Sequence, residues 1–245
     1  PLSLVGSEMC IRDSSNTTVT FNSTATVNAA TIGGQSLVID TDAGAIAMQG
    51  AIGGSTALNA LTVNADGAGT IEIANIGTSS AVGVTGATAI GNTSTGTLTL
   101  DGSAYTTTGT QTYKGASGGS NIVISGTAPT FTTTNTAIEF NTSDVTLSNN
   151  GTTTINTGTG AGTVTFQGAI ETDGGNDDIL TVTSGTGNVT FTGALGATEE
   201  LGGLNVNSSA GDGDITFTST IGDSDNAGII GTTAIGNDTT ADLNF

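Results

Sequence analysis

The sequence contains no histidine, and its 245 residues include only two basic residues and one cysteine. The 21 acidic residues bring the formal net charge to −19. Such a chain repels a phosphate backbone, because nucleic-acid binding depends on lysine and arginine that displace counterions. An anionic membrane surface is disfavoured for the same reason. The composition therefore predicts cations, neutral sugars or basic proteins as partners, and no nucleic acid.

Catalysis by a nucleophile and a base is poorly supported by this composition. Without histidine, a serine has no ordinary partner to remove its proton. Cys10 stands alone, so it forms no internal disulfide, and Lys114 is the only basic residue after residue 14. We therefore predict that the chain is not an enzyme. The acidic pair Asp177 and Asp178 leaves a carbohydrate-active protein that uses two carboxylates as an alternative.

Proline, aromatic residues and long apolar runs are also scarce, and no run approaches the ~20 residues of a transmembrane helix. Glycine is abundant at 39 residues, and threonine, valine and isoleucine, which favour strands, are common. Apolar residues alternate with small or polar ones, as in Val164–Phe166, Val189–Phe191 and Ile215–Phe217. This period of two, interrupted by Gly, Asp and Asn turns, predicts an all-β protein.

Residues 1–14, PLSLVGSEMCIRDS, differ in composition from everything that follows and hold both Cys10 and Arg12. The segment resembles a leader that recurs on unrelated translated environmental sequences, where it looks like read-through of a sequencing adaptor. We predict that it is a non-native leader and that residues 15–245 form one repeat region. We also expect this region to be a fragment of a larger protein.

One sequence unit recurs along the chain. It runs from Leu-x-Val through a Gly/Asp/Asn turn to Ile/Val-x-Phe/Met and closes on Ile or Leu. Its copies begin at Leu37, Leu61, Ile155, Leu180 and Leu204. The starts at 37 and 61, like those at 180 and 204, are 24 residues apart. A longer-range repeat is also present, because GATAIGN, Gly86–Asn92, is similar to GTTAIGN, Gly231–Asn237.

A unit of this size has too few apolar residues to bury a core alone, so its copies must stack on one another. Two clear strands and a weaker third segment in each unit predict a single-stranded parallel β-helix, or β-solenoid, with coils of ~24 residues. Roughly nine or ten coils at ~4.8 Å each give a rod of about 45 Å. Tandem β-sandwich domains are the alternative, because they also show many short strands with regular turns.

Three segments carry a family resemblance: TTTGTQTYKGA (Thr106–Ala116), IGGSTALNALTV (Ile52–Val63) and GNVTFTGALG (Gly187–Gly196). They resemble repeats of filamentous-haemagglutinin-like and autotransporter-like bacterial adhesins. The resemblance implies a secreted β-helical stalk on the outside of the bacterial outer membrane, with an adhesive surface for a glycan or protein ligand. Such proteins usually carry an N-terminal secretion domain, which is not visible here.

Acidic turns supply the only candidate metal ligands. DGGNDDIL, Asp173–Leu180, is close to the G-G-x-G-x-D-x-U-x nonapeptide of calcium-binding RTX β-rolls, although it lacks one glycine and occurs once. The likeness makes Asp173, Asp177 and Asp178 candidate calcium ligands. We expect no other cofactor, and a calcium-stabilised secreted repeat module is a further alternative for the function.

Threonine runs occur at Thr106–Thr110, Thr130–Thr136 and Thr152–Asn156. Ice binding would require them to stack on one face over consecutive coils, and their spacing along the chain is not uniform. Threonine is also a good exposed-strand residue in general. We expect Tyr105 and Tyr113 to be partly exposed and too few to form a sugar-binding platform.

Overall fold

The computed structural model describes residues 2–4 (backbone only), 6, 8–13, 16–119, 121–175, 178–207 and 212–245. Within these ranges it contains 25 strands and no helix. The first thirteen are β1 (Leu2–Leu4), β2 (Glu8–Asp13), β3 (Val19–Phe21), β4 (Val27–Ala29), β5 (Ser36–Thr41), β6 (Ile46–Met48), β7 (Leu61–Ala65), β8 (Ile71–Ile73), β9 (Thr88–Ile90), β10 (Leu98–Leu100), β11 (Ala104–Thr106), β12 (Gln111–Lys114) and β13 (Ile122–Ile124). The others are β14 (Thr130–Thr132), β15 (Ile138–Asn141), β16 (Val145–Leu147), β17 (Thr152–Asn156), β18 (Val164–Phe166), β19 (Ile170–Thr172), β20 (Ile179–Thr183), β21 (Val189–Phe191), β22 (Gly203–Val206), β23 (Ile215–Phe217), β24 (Thr233–Ile235) and β25 (Leu243–Asn244).

The strands form three parallel sheets that the chain visits in turn. Sheet I contains β2, β5, β7, β9, β12, β15, β18, β21, β23 and β25. Sheet II contains β3, β6, β8, β10, β13, β16 and β19, and single bridges through Leu195 and Ile221 continue it. Sheet III begins with β1 and β4, continues through single bridges at Ile52 and Ile76, and ends with β11, β14, β17, β20, β22 and β24.

This arrangement is a β-solenoid of about nine turns, as the sequence predicts. The described strands pair in parallel, for example Leu37 beside Leu61 and Val164 beside Val189, which excludes tandem antiparallel sandwiches. The coil length ranges from 23 residues between Thr88 and Gln111 to 29 between Leu204 and Thr233, and most coils are somewhat longer than the expected ~24 residues. The turns absorb this variation, because a change of length within a strand would break the ladder.

The recurring sequence unit does not keep to one sheet. In the copies at Leu37 and Leu61 the Leu-x-Val segment lies in sheet I, whereas at Leu180 and Leu204 it lies in sheet III. The longer-range repeat behaves in the same way, since Thr88–Ile90 lies in sheet I and Thr233–Ile235 lies in sheet III. All three sheets require the same inward alternation of apolar residues, so one sequence can serve on any of them.

The core is a column of side chains that alternate inward along each strand. The inward residues Val189, Phe191 and Ile215 have no exposed surface, which confirms the predicted inward face. Sheet I carries a ladder of rings, one from each of six successive coils: Tyr113, Phe140, Phe166, Phe191, Phe217 and Phe245. From Phe140 onward the stacked planes differ by only 3° to 8°. The rings of successive coils therefore have nearly the same orientation along this part of the ladder.

Buried hydroxyls close the corner that follows an inward apolar pair. The Thr41 hydroxyl donates to the Gly44 carbonyl at 2.8 Å, and the Ser184 hydroxyl donates to the Gly187 carbonyl at 2.5 Å. Thr133 and Thr157 make the same bond to Thr136 and Gly162. Each hydroxyl satisfies a turn carbonyl that no ladder can reach.

The described part of the leader continues the solenoid. Strand β2 pairs with β5, and the half-buried Met9 and Ile11 pack against the core. Cys10 lies between them on the outer side and is exposed. The non-native origin of residues 1–14 and the domain boundary at residue 15 stay predictions.

Tyr105 and Tyr113 are fully buried, so the expectation of partial exposure is wrong. Their rings occupy inward positions and stack on Phe131 and Phe140 of the next coil. The Tyr105 hydroxyl donates to the Ile73 carbonyl at 3.0 Å. The Tyr113 hydroxyl donates to Oε1 of Gln111, also at 3.0 Å. Because each buried hydroxyl has a hydrogen-bond acceptor in the core, tyrosine can occupy inward positions that phenylalanine fills in most other coils of the ring ladder.

Burial raises the pKa of both tyrosines above the ordinary value of 10.0. The unfolded chain loses these protons near pH 10, while the folded chain keeps them. Folding stability is therefore full below about pH 10 and falls above it, by up to ~1.4 kcal/mol per pH unit for each tyrosine. Urea unfolding between about pH 9 and 11 should show this slope. If a Tyr113→Phe variant lost stability with pH as steeply as the unmodified chain, the raised pKa of Tyr113 would not be a cause of the loss.

Candidate functional site

Two of the predicted calcium ligands, Asp173 and Asp178, lie at the corner between sheets II and III. Asp173 is exposed, and its Oδ2 accepts a hydrogen bond from the Ser148 hydroxyl at 2.7 Å. Asp178 is fully buried. Asp177 lies outside the described residues, so the predicted carboxylate pair with Asp178 is not described either.

Asp178 is a structural cap for the preceding coil. Its Oδ1 accepts backbone N–H groups from Asn149 at 3.0 Å and Gly151 at 3.4 Å. Its Oδ2 is buried without a hydrogen-bond partner, and so is Oδ1 of Asn149. Asp178 is therefore not the solvated turn residue that its sequence context suggests, and a buried unpaired oxygen costs free energy.

The described residues of this corner do not form a metal cluster of the usual kind. Within the described ranges, no group of three or more His, Cys, Asp or Glu residues has the spacing to hold a metal ion. Asp173 and Asp178 contact the same turn, Ser148 through Gly151, at different atoms. Both acids lie directly beside a strand, Asp173 after β19 and Asp178 before β20, yet only Asp178 is buried.

Replacing Asp178 with alanine should lower the free energy of unfolding by about 2 kcal/mol, because two partly buried N–H groups lose their acceptor. Asp178→Asn keeps an acceptor oxygen at this position, so it should retain most of the stability. Urea unfolding of both variants tests this difference. Equal losses would contradict the capping role, and a calcium-dependent stabilisation that Asp178→Asn abolishes would assign a cation to the two unpaired oxygens.

A second feature is the outer surface of sheet III. The register places Thr130, Thr154, Thr181 and Asn205 in one column across four coils. A second column contains Thr106, Thr132, Asn156 and Thr183. These eight residues are called the threonine face below. The three threonine runs in the sequence contribute to it, although their spacing along the chain is irregular.

The threonine face is free of charged residues. Among the residues that the structure describes, no acidic or basic residue lies in a strand of sheet III. Sheet I strands, in contrast, contain residues such as Asp40, Lys114 and Glu139, and sheet II strands contain Glu72 and Glu171. A chain with a net charge of −19 therefore presents one face whose strands are neutral.

Most hydroxyls of the threonine face are directed to solvent. Within the described part of the chain, the side chains of Thr130, Thr132, Thr154, Thr181 and Thr183 form no hydrogen bond to protein, and each residue is partly exposed. The Thr106 hydroxyl is the exception, because it donates to the Thr78 carbonyl at 2.8 Å. Directly beneath, Tyr105 and Phe131 stack at 4.5 Å with planes 8° apart.

Comparisons with protein-family models, with curated proteins and with solved structures find no match for this chain. Within the part of the chain that the structure describes, no helix is long and apolar enough to cross a membrane. The site therefore has to be interpreted from its own geometry.

Proposed function

We propose that this chain is a non-catalytic rod of a large secreted or cell-surface bacterial protein, with adhesion as its role. The observation that carries the proposal is the repetitive outer surface of the solenoid, on which short polar side chains recur on successive coils. Nine steps of about 4.8 Å between the ten strands of sheet I give a length of about 43 Å.

Rigidity supports this proposal. The ring ladder joins six coils with centroid spacings of 4.8 to 5.5 Å. Backbone ladders join the same coils on three sides. A rod of this construction holds a binding surface at a fixed distance from its anchor, and contact points that recur along it add their affinities.

Beads coated with the purified protein test the proposed adhesive role. We expect the beads to be retained under flow on host-cell or glycan surfaces, with retention rising faster than linearly as the coating density increases. Beads coated with the heat-unfolded chain are the control. Retention no greater than the control on every surface tested would overturn the adhesive role. Release of reducing sugar ends from the same glycans would instead support the carbohydrate-active alternative.

A further inference from the structure

We propose that the threonine face binds ice. This inference does not depend on the adhesive role, because the ligand is ordered water and the site is one sheet. It rests on the register of sheet III, on the parallel stacking of the rings beneath it, and on the chemistry of the side chains that the sheet presents.

The register produces a two-dimensional grid. Thr130 and Thr132, Thr154 and Asn156, and Thr181 and Thr183 are outward pairs on three consecutive strands. Outward residues two apart on a strand are about 6.8 Å apart, and neighbouring coils are about 4.8 Å apart. Thr106 and Asn205 extend the grid by one coil at each end. The oxygen atoms on the surface planes of hexagonal ice repeat at comparable intervals.

A grid matches a crystal only if it is flat. The rings of Tyr105 and Phe131, which lie under the threonine face, are parallel to within 8°. On sheet I the corresponding angle is as small as 3° between Phe140 and Phe166. The unbroken parallel register of β14, β17 and β20 keeps the successive outward pairs in line.

Threonine has the chemistry that this ligand requires. Its hydroxyl anchors a water molecule, and its methyl group leaves the neighbouring water to order around an apolar surface. Its β-branched side chain is restricted at χ1, so the grid is preorganised and loses little entropy on binding. Charged groups would orient water individually, and the strands of sheet III contain none.

A polysaccharide is the less suitable ligand for the same surface. Sugar sites use aromatic platforms and concave walls, whereas both tyrosines of this chain are buried in the core. The threonine face offers only hydroxyl, methyl and amide groups on parallel strands. The regular spacing of these groups therefore matches the flat lattice of an ice surface better than a flexible polysaccharide chain.

The purified full chain should retard ice growth, measured as thermal hysteresis and as inhibition of ice recrystallisation. A double variant, Thr154→Lys with Thr181→Lys, should abolish both effects, because it places two long charged side chains in the centre of the grid. The matched control is Thr165→Lys with Thr190→Lys, which makes the same changes at neighbouring outward positions of sheet I. We expect this control to keep full activity.

Circular dichroism and thermal unfolding establish that all three proteins are folded. The proposal is overturned if the unmodified chain neither shifts the freezing point nor slows recrystallisation. It is also overturned if both double variants lose activity equally, or if only the sheet I variant does. Binding of the chain to insoluble cellulose or chitin without any effect on ice would assign the face to a polysaccharide instead.

Discussion

Replacing Phe166 with alanine should lower the free energy of unfolding by about 4 kcal/mol, because a large buried ring leaves a cavity that rigid coils cannot fill. Phe166 stacks on Phe140 at 4.8 Å and on Phe191 at 5.5 Å, and it is 1% exposed. Its loss interrupts the ladder in the middle of the rod. Chemical unfolding followed by circular dichroism measures the change.

Phe245→Ala is the matched control, because Phe245 ends the same ladder but is 80% exposed and stacks only on Phe217. Its truncation should cost less than about 1 kcal/mol, as is usual for surface positions. Similar losses in the two variants would mean that the ladder does not stabilise the rod. A Phe166→Leu variant, which keeps most of the buried area, should fall between them.

Much of the fold follows from the sequence because its signals are local. The period of two at Val189, Phe191 and Ile215 marks an inward face in any sheet, and the repeats imply stacking. The assignment of units to sheets does not follow, because Leu61 and Leu204 satisfy the same inward pattern on different sides of the rod. Only the summed lengths of the intervening turns decide on which side each unit lies.

The candidate site was less predictable for the same reason. Thr130 and Thr154 share a column although their runs are irregularly spaced, because the turns between them take up the difference. Likewise, the local sequence around Asp178 does not show that this residue is buried while Asp173 is exposed. Its burial depends on the Asn149 turn of the coil before it, a contact across a full turn of the chain.

A large loss of stability is also expected for a substitution at Gly102, which lies at the corner between sheets II and III. A Cβ atom at this position would lie 1.3 Å from the carbonyl oxygen of Ala74 in the preceding coil. That oxygen belongs to the backbone, so no side-chain rotation relieves the clash and the coils must separate. Gly102→Ala should therefore lower the free energy of unfolding by about 3 kcal/mol, at the upper end of overpacking effects.

Gly151→Ala is the matched control, since its Cβ would meet only the Asn149 carbonyl oxygen, at 3.7 Å. This is an ordinary contact, and the restriction of the unfolded chain should leave the stability unchanged or raise it by up to about 1 kcal/mol. Urea unfolding of the two variants compares a close approach of coils with an open corner. If Gly102→Ala were as stable as Gly151→Ala, the coils could not be stacked as closely at this corner as the strand register requires.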